Sequence, residues 1–286
     1  MHDATPTEAP KLWEEAVRWL IDQENQRDLV EACYYDVPLA GAARRYHTSD
    51  EWRAVTAHFP SQRGRALDLG AGNGIASYAL AVDGWTVTAI EPDPSDLVGA
   101  GAIRDLAHNE GLKIDVVQEW GESLPLVDAS FDLIFARQVL HHARSLTQLC
   151  RELHRVLKPG GRLIAVRDHV VTRDADLPAF FAKHPLHHLY GGENAFRLDE
   201  YRSALREAGL RIDHVLRSFD SPINLAPTSR ADVIAAAATR ARRLGVPRGV
   251  TRGLLGAMFG PAAALASRID RRPGRLVSFI ATKPSA

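Results

Sequence analysis

The 286-residue sequence predicts an α/β fold built on a doubly wound, mostly parallel sheet. Short apolar runs near 65–69, 85–90, 114–117, 131–135 and 162–167 alternate with helical patterns near 74–83, 95–109 and 145–157. Such alternation makes a parallel sheet with helices on both faces. The first run ends in a glycine turn, Gly70-Ala71-Gly72-Asn73-Gly74, and an acidic residue, Glu91, closes the second, Thr86 to Ile90. Later runs, Arg211–Arg217 and Gly274–Thr282, bring the sheet to seven strands. Helical patterns precede the sheet as an N-terminal cap (1–60) and interrupt it as a C-terminal insertion (220–273), leaving 61–219 and 274–286 for the α/β domain.

The stretch Met1–Pro10 is polar, with acids and prolines, and reads as neither a signal peptide nor a membrane anchor. Cys33 and Cys150 form no ligand or redox pattern, which fits a reducing compartment, so a cytoplasmic protein is expected. From Lys11 to about Glu31, Leu12, Ala16, Trp19 and Leu20 recur at helical spacing. Tyr34 to Pro38 breaks the pattern, and a polar stretch with Arg44, Arg45 and Tyr46 follows. Ser49-Asp50 caps a second helix that carries Trp52, Val55 and Phe59 inward and stops at Pro60.

The glycine turn lets backbone N–H groups approach a ligand at the carboxyl ends of the strands, where open α/β sheets bind. A dinucleotide fingerprint would need glycine where Ile75 stands; the spacing is instead Asp68-x-Gly70-x-Gly72-x-Gly74. Glu91 is placed to accept hydrogen bonds from both hydroxyls of a ribose.

Asp68–Gly74, Glu91 and the run from Leu124-Pro125 to Phe131-Asp132 resemble the class I S-adenosylmethionine (SAM)-dependent methyltransferases, well over roughly 60–170 and more loosely beyond. The resemblance implies a Rossmann-like fold, SAM as cofactor with S-adenosylhomocysteine as product, and a SAM site that includes Asp68, Gly70, Ala71, Gly72, Gly74, Glu91 and Pro92. Aligning the motifs puts Trp120 where relatives carry an acid for the adenine amine, followed by Gly121 and Glu122. Trp120 then stacks on adenine, and Glu119 or Glu122 supplies the acceptor. Tyr46, with Arg44 and Arg45, is in reach of the cofactor's methionine carboxylate, and Arg137 at the end of the fourth strand joins the cofactor set.

Catalytic candidates lie where the fourth and fifth strands end, in Leu140-His141-His142 and Arg167-Asp168-His169. A neutral imidazole can take a hydroxyl proton near pH 7, so His169, steered by Asp168, is the first candidate base and His141 the second. Relatives that act on amines or nucleobases often carry an Asn/Asp-Pro-Pro-aromatic run where this chain has Arg137-Gln138-Val139. That difference favours an oxygen acceptor on a small molecule. A carboxylate acceptor would need no base. Gln138, Arg167, His188, Tyr190 and Glu193 are candidate acceptor contacts. His184, His187 and His188 lack a cysteine partner and read as loop or substrate contacts, with no metal expected.

Lysine plus arginine equals aspartate plus glutamate at 35 each, so charge gives no reason to expect nucleic acid. The insertion is arginine-rich from Arg230 to Arg272, which suits either a solvated face or attraction of an anionic acceptor. Its apolar run Leu254–Ala266 is too short, and too interrupted by Gly260 and Pro261, to span a bilayer. Two other readings remain: a SAM-binding partner module without methyl transfer, and a methyltransferase acting on nitrogen, carbon or a macromolecule. The polar set Arg137, Gln138, His141, Asp168 and His169 favours an enzyme.

Overall fold

The computed structural model describes residues 12–184, 186–243 and 248–285; the Met1–Pro10 stretch lies outside them. Four helices come first: α1 (Trp13–Ile21), α2 (Arg27–Ala32), α3 (Leu39–His47) and α4 (Asp50–Thr56). The single helix expected to Glu31 is instead broken after Ile21. Ala16, Val17 and Leu20 bury one face of α1, but the polar run Asp22 to Gln26 has no apolar residue to continue that stripe and forms a short 3₁₀ turn. Helix α3 occupies the stretch expected to be irregular. Ala42, Ala43 and Tyr46 bury one of its faces, while Arg44 and Arg45 pair outward with Glu110 and Asp36.

The sheet follows as β1 (Arg65–Leu69), α5 (Ile75–Val82), β2 (Thr86–Ile90), α6 (Ala100–Asn109), β3 (Ile114–Val117), β4 (Phe131–Arg137), α7 (Leu146–Val156) and β5 (Leu157–Val171). After it come α8 (Leu177–Phe181), α9 (His187–Tyr190), β6 (Phe196–Arg197), α10 (Leu198–Glu207) and β7 (Arg211–Leu216). The chain ends with α11 (Pro222–Leu225), α12 (Arg230–Arg243), α13 (Arg248–Ile269) and β8 (Arg275–Thr282). Strand order is β3-β2-β1-β4-β5-β8-β7, with β6 paired to the end of β5. The first five strands run parallel, and β8 enters antiparallel between β5 and β7. On β4, Leu133 and Phe135 pack with α4 and α5 on one face; Ile134 and Ala136 pack with α7 and α10 on the other.

Register brings Leu69, Ile90 and Ala136 level, so Gly70, Glu91 and Arg137 emerge at one edge. The fifth strand is longer than expected. It begins at Leu157, ahead of the run expected near 162–167, and continues to Val171. Asp168 and His169 therefore pair with Val277 and Leu276 inside the sheet and do not lie beyond the strand. Pairing with β4 stops at Val166, but β8 continues to supply partners. A one-residue bulge against β8 falls there, with Arg167 at φ +64°, and re-aims the side chains of this edge.

In the insertion, α13 is continuous through Pro261. The side chains of Arg242, Arg243, Arg248 and Arg252 lie outside the described residues. Among the described residues no helix is long and apolar enough to cross a membrane.

Candidate active site

A cavity of about 830 Å³ opens at the carboxyl edge of β1, β2, β4 and β5. Its floor is the glycine turn. Gly70, Gly72 and Gly74 all have positive φ, but only Gly72 faces open space; side chains at Gly70 and Gly74 would meet Val139 and Ile103. The Glu91 carboxylate lies beside this turn and accepts from the backbone N–H groups of Gly72 (2.7 Å) and Asp93 (3.0 Å). Burial pushes the Glu91 carboxyl up to about 7 against those two donors. Asp68, fully buried behind the turn, accepts from Ser77 Oγ at 2.6 Å, and burial likewise raises it to about 7.

Most of the cofactor candidates line this cavity: Asp68, Gly70, Ala71, Gly72, Glu91, Pro92, Trp120, Gly121, Glu122 and Arg137. Gly74 does not, and its role is to turn the chain into α5. Tyr46 is fully buried under the Arg137 guanidinium, 5.3 Å from the ring centroid, and does not line the cavity. Trp120 is half-exposed and covered on one face by Arg144, while the Glu122 carboxylate accepts from the Arg144 N–H.

Sequence reasoning did not single out Glu51, on α4. Its carboxylate is buried and accepts from Arg137 Nε at 2.7 Å and Nη2 at 3.2 Å, with Arg167 Nη1 3.9 Å away. Burial pushes the Glu51 carboxyl up, but the Arg137 and Arg167 cations outweigh it and hold it below the ordinary value. Arg167 also donates to the carbonyls of Ile223 and Ala226. Two cations on one carboxylate leave an excess positive charge at the wall. No sequence signal marked Glu51, because an acid in the first turn of a capped helix ordinarily faces water.

Histidines and carboxylates gather opposite the glycine turn. His141, in the 3₁₀ turn after β4, directs Nδ1 at Asp168 Oδ1 (3.0 Å) and Nε2 toward Glu193 Oε2 (3.6 Å). Burial alone would lower it, but the Asp168 hydrogen bond and the nearby Glu193 carboxylate raise it to about 9, which favours the imidazolium cation in the absence of another ligand. His169 Nδ1 donates to the Gly274 carbonyl at 2.9 Å, which leaves Nε2 as the bare nitrogen. Burial, and then the His141 charge, depress His169 to about 3, far from the near-normal value expected of a base at pH 7. His184 and His142 complete the lining; the latter is lowered to about 4 by burial and the same cation.

Of the acceptor candidates, Gln138, Arg167, Tyr190 and Glu193 line the cavity. Gln138 sits at φ +59° as the chain leaves β4. Tyr190 donates to Glu193 Oε1 at 2.6 Å across the Gly191-Gly192 turn. His188 faces away, against the Ala182 carbonyl, and His187 stacks on Phe181. Asp168 lies behind His141 and does not line the cavity.

This sheet order, with a glycine turn and an acid at the ends of the first two strands, places a crevice where open α/β sheets bind their ligands. Residues 67–165 match the methyltransferase domain family. Over that segment the chain is similar to the class I SAM-dependent methyltransferases. It is 36% identical over 149 residues to the 27-O-demethylrifamycin SV methyltransferase of Amycolatopsis mediterranei, covering 51% of this chain and 53% of that one. It is 26% identical over 166 residues to the ubiquinone biosynthesis O-methyltransferase of Agrobacterium fabrum, covering 57% and 65%. The chain thus spans about half the length of the first relative and under two thirds of the second. The crystal structure of the cyclase SpnF shares the fold, with a TM-score of 0.56 and 23% identity over 86% of this chain and 82% of that one.

Proposed function

We propose that this protein transfers the methyl group of SAM to an oxygen of a small-molecule acceptor. One observation carries the reading: the cavity joins a nucleoside cradle at one end to a buried histidine–carboxylate cluster at the other. The residues present fit SAM. The open side of Gly72 faces the space a ligand backbone contact needs, and Glu91 keeps lone pairs for the ribose hydroxyls. Asp68, Gly70, Ala71, Pro92, Trp120, Gly121 and Glu122 complete the cradle, and the excess charge of Arg137 and Arg167 suits a carboxylate on cofactor or acceptor. Bound SAM supplies an electrophilic methyl on a sulfonium, a good leaving group.

The chain's own tasks are to place the acceptor oxygen in line and remove its proton. Asp168 fixes the His141 ring, and the Gly274 carbonyl fixes His169 with Nε2 bare. Gln138, Tyr190 and Glu193 orient the acceptor. The oxygen acceptor fits the two curated relatives, both O-methyltransferases by name, and a hydroxyl with a neighbouring anionic group suits the arginine wall. Incubating the enzyme with SAM and a panel of small-molecule hydroxyl compounds should give a product heavier by one methyl. His169→Gln and His141→Gln should each lower kcat by roughly two to four orders of magnitude while leaving SAM affinity near wild type. Full kcat in both variants would remove the cluster from the reaction.

A further inference from the structure

We infer that His141, His169 and Glu193, with His184 beside them, form a binding site for a divalent transition-metal ion. One ligand atom from each of the first three lies within 4.8 Å of the other two. His141 Nε2 and His184 Nε2 stand 3.6 and 3.8 Å from the same oxygen, Glu193 Oε2. Neighbouring ligand atoms around a four-coordinate zinc ion lie roughly 3.4 Å apart, given metal–ligand bonds near 2.1 Å. Contraction of these separations by up to roughly 1.4 Å closes the site around an ion.

The supports behind the cluster match those of a metal centre. Metal-ligating histidines characteristically donate their second nitrogen to a carboxylate or a backbone carbonyl. Here His141 Nδ1 meets Asp168, and His169 Nδ1 meets the Gly274 carbonyl. The Tyr190 hydroxyl holds Glu193 Oε1, which leaves Oε2 facing the histidines. That oxygen is the independent sign of a missing partner. Glu193 is 8% exposed, and its buried Oε2 makes no hydrogen bond among the described residues, the nearest ring nitrogens, of His141 and His184, standing 3.6 and 3.8 Å away. An unsatisfied buried carboxylate oxygen is costly, and a cation would satisfy it. These ligands come from separate segments: the turn after β4, the bulged part of β5, and the crossing between α8 and β6.

Imidazole nitrogens with one carboxylate select Zn²⁺, Fe²⁺ or Co²⁺ over Mg²⁺ or Ca²⁺, which prefer all-oxygen shells. His141, His169 and Glu193 all line the cavity, so with these three as ligands the fourth coordination position faces the space assigned to the acceptor. An acceptor oxygen held there would be oriented, and its proton made more acidic, by the ion. That role rests on the methyl-transfer reading; binding of the ion does not.

The full chain, stripped with a chelator and titrated with Co²⁺, should bind about one equivalent and develop the visible absorption of a low-coordinate nitrogen–oxygen site. Zn²⁺ should abolish that absorption by competition. Glu193→Gln and His169→Gln should each weaken Co²⁺ binding at least 10-fold, and Asp168→Asn by about 10- to 100-fold, with His188→Gln unchanged as a control outside the cluster. Circular dichroism and retained SAM binding establish that each variant is folded. A folded wild-type chain that takes up no Co²⁺ at micromolar concentration overturns the inference, as does equal uptake by wild type and the Glu193 and His169 variants. Specific Co²⁺ uptake without methylation of any acceptor sustains the metal site and counts only against the methyl-transfer reading.

Discussion

In the proposed SAM site Glu91 would accept ribose hydroxyls as a carboxylate, yet its burial raises it to about 7 before any ligand arrives. The sign follows directly. Below about pH 7 a growing share of the free protein carries a proton on Glu91, and a ligand that prefers the carboxylate must expel it. SAM affinity should therefore fall by roughly tenfold between pH 7 and 5.5, a window below the titration of the ligand's own amino group. Glu91→Gln should bind more weakly at both values, by about 1.5–3 kcal/mol at pH 7, and lose most of this dependence. Calorimetric titration checks both. A wild-type pH profile in Glu91→Gln would move the titration to Asp68, which burial also holds near 7. At this scale the sequence was informative wherever a residue's neighbours are close along the chain. Gly72 and Glu91 could be placed from spacing alone. Glu193 could be named but not joined to His141, because their meeting depends on a crossing some 50 residues later in the chain. Glu51 was invisible for the same reason: its partners, Arg137 and Arg167, stand 86 residues or more away in sequence.

Among the elements, the first four parallel strands were legible because each is a short, mostly apolar run between turn residues; β1 and β3 have the bounds their runs predicted. Helix α3 was not, since its stripe is made of alanines and one tyrosine, which carry little pattern against flanking arginines. The length of β5 was hidden too, because its partners past Val166 are distant in sequence: the antiparallel β8, more than 100 residues on, and β6 at its end. These long-range choices are tied together by α4. Ser49 caps that helix and accepts from the Trp52 N–H at 3.0 Å, which fixes the turn that points Glu51 at β4 and β5. Replacing Glu51 by glutamine would leave the Arg137 and Arg167 cations buried against each other. Glu51→Gln should therefore destabilise the protein by about 3–5 kcal/mol, the cost typical of breaking a buried ion pair from one side. Denaturant unfolding measures it. A loss of under about 1 kcal/mol, the scale of a surface pair, would mean that solvent or an anion reaches the arginines.

On the scale of the whole molecule, the cavity has one half on the sheet edge and one half under a helical cover. The sheet edge supplies the glycine turn, Glu91, His141 and His169 from strands at the centre of the core. The cover comes from α1, α2 and the α8–α9 crossing, which meet through Trp13, 4.5 Å from the Tyr190 ring and 5.9 Å from that of Tyr35. Leu20, Val30 and Leu186 are the buried residues of this cluster, apart from the main core. So small a satellite should open at a lower free energy than the sheet does. A ligand bound in the cavity would touch both halves, since Trp13, Leu29, Tyr35, Leu186 and Tyr190 line it from the cover side. One direct strut already joins them: Asn73, within the glycine turn, donates from Nδ2 to the Tyr34 carbonyl at 2.8 Å. Ligand at the turn should thus hold the cover down, and exchange of product for substrate should require its release. Hydrogen-exchange mass spectrometry with and without S-adenosylhomocysteine tests this. Amides of 13–32 and 186–190 should exchange several-fold more slowly with ligand, whereas those of β1 and β4 should be slow in both states. Trp13→Ala should reduce the protection gained over the cover and speed ligand release without disturbing the sheet amides. Protection confined to the glycine turn and the start of α5, with the cover unchanged, would show that the cover is not coupled to the cofactor end of the cavity.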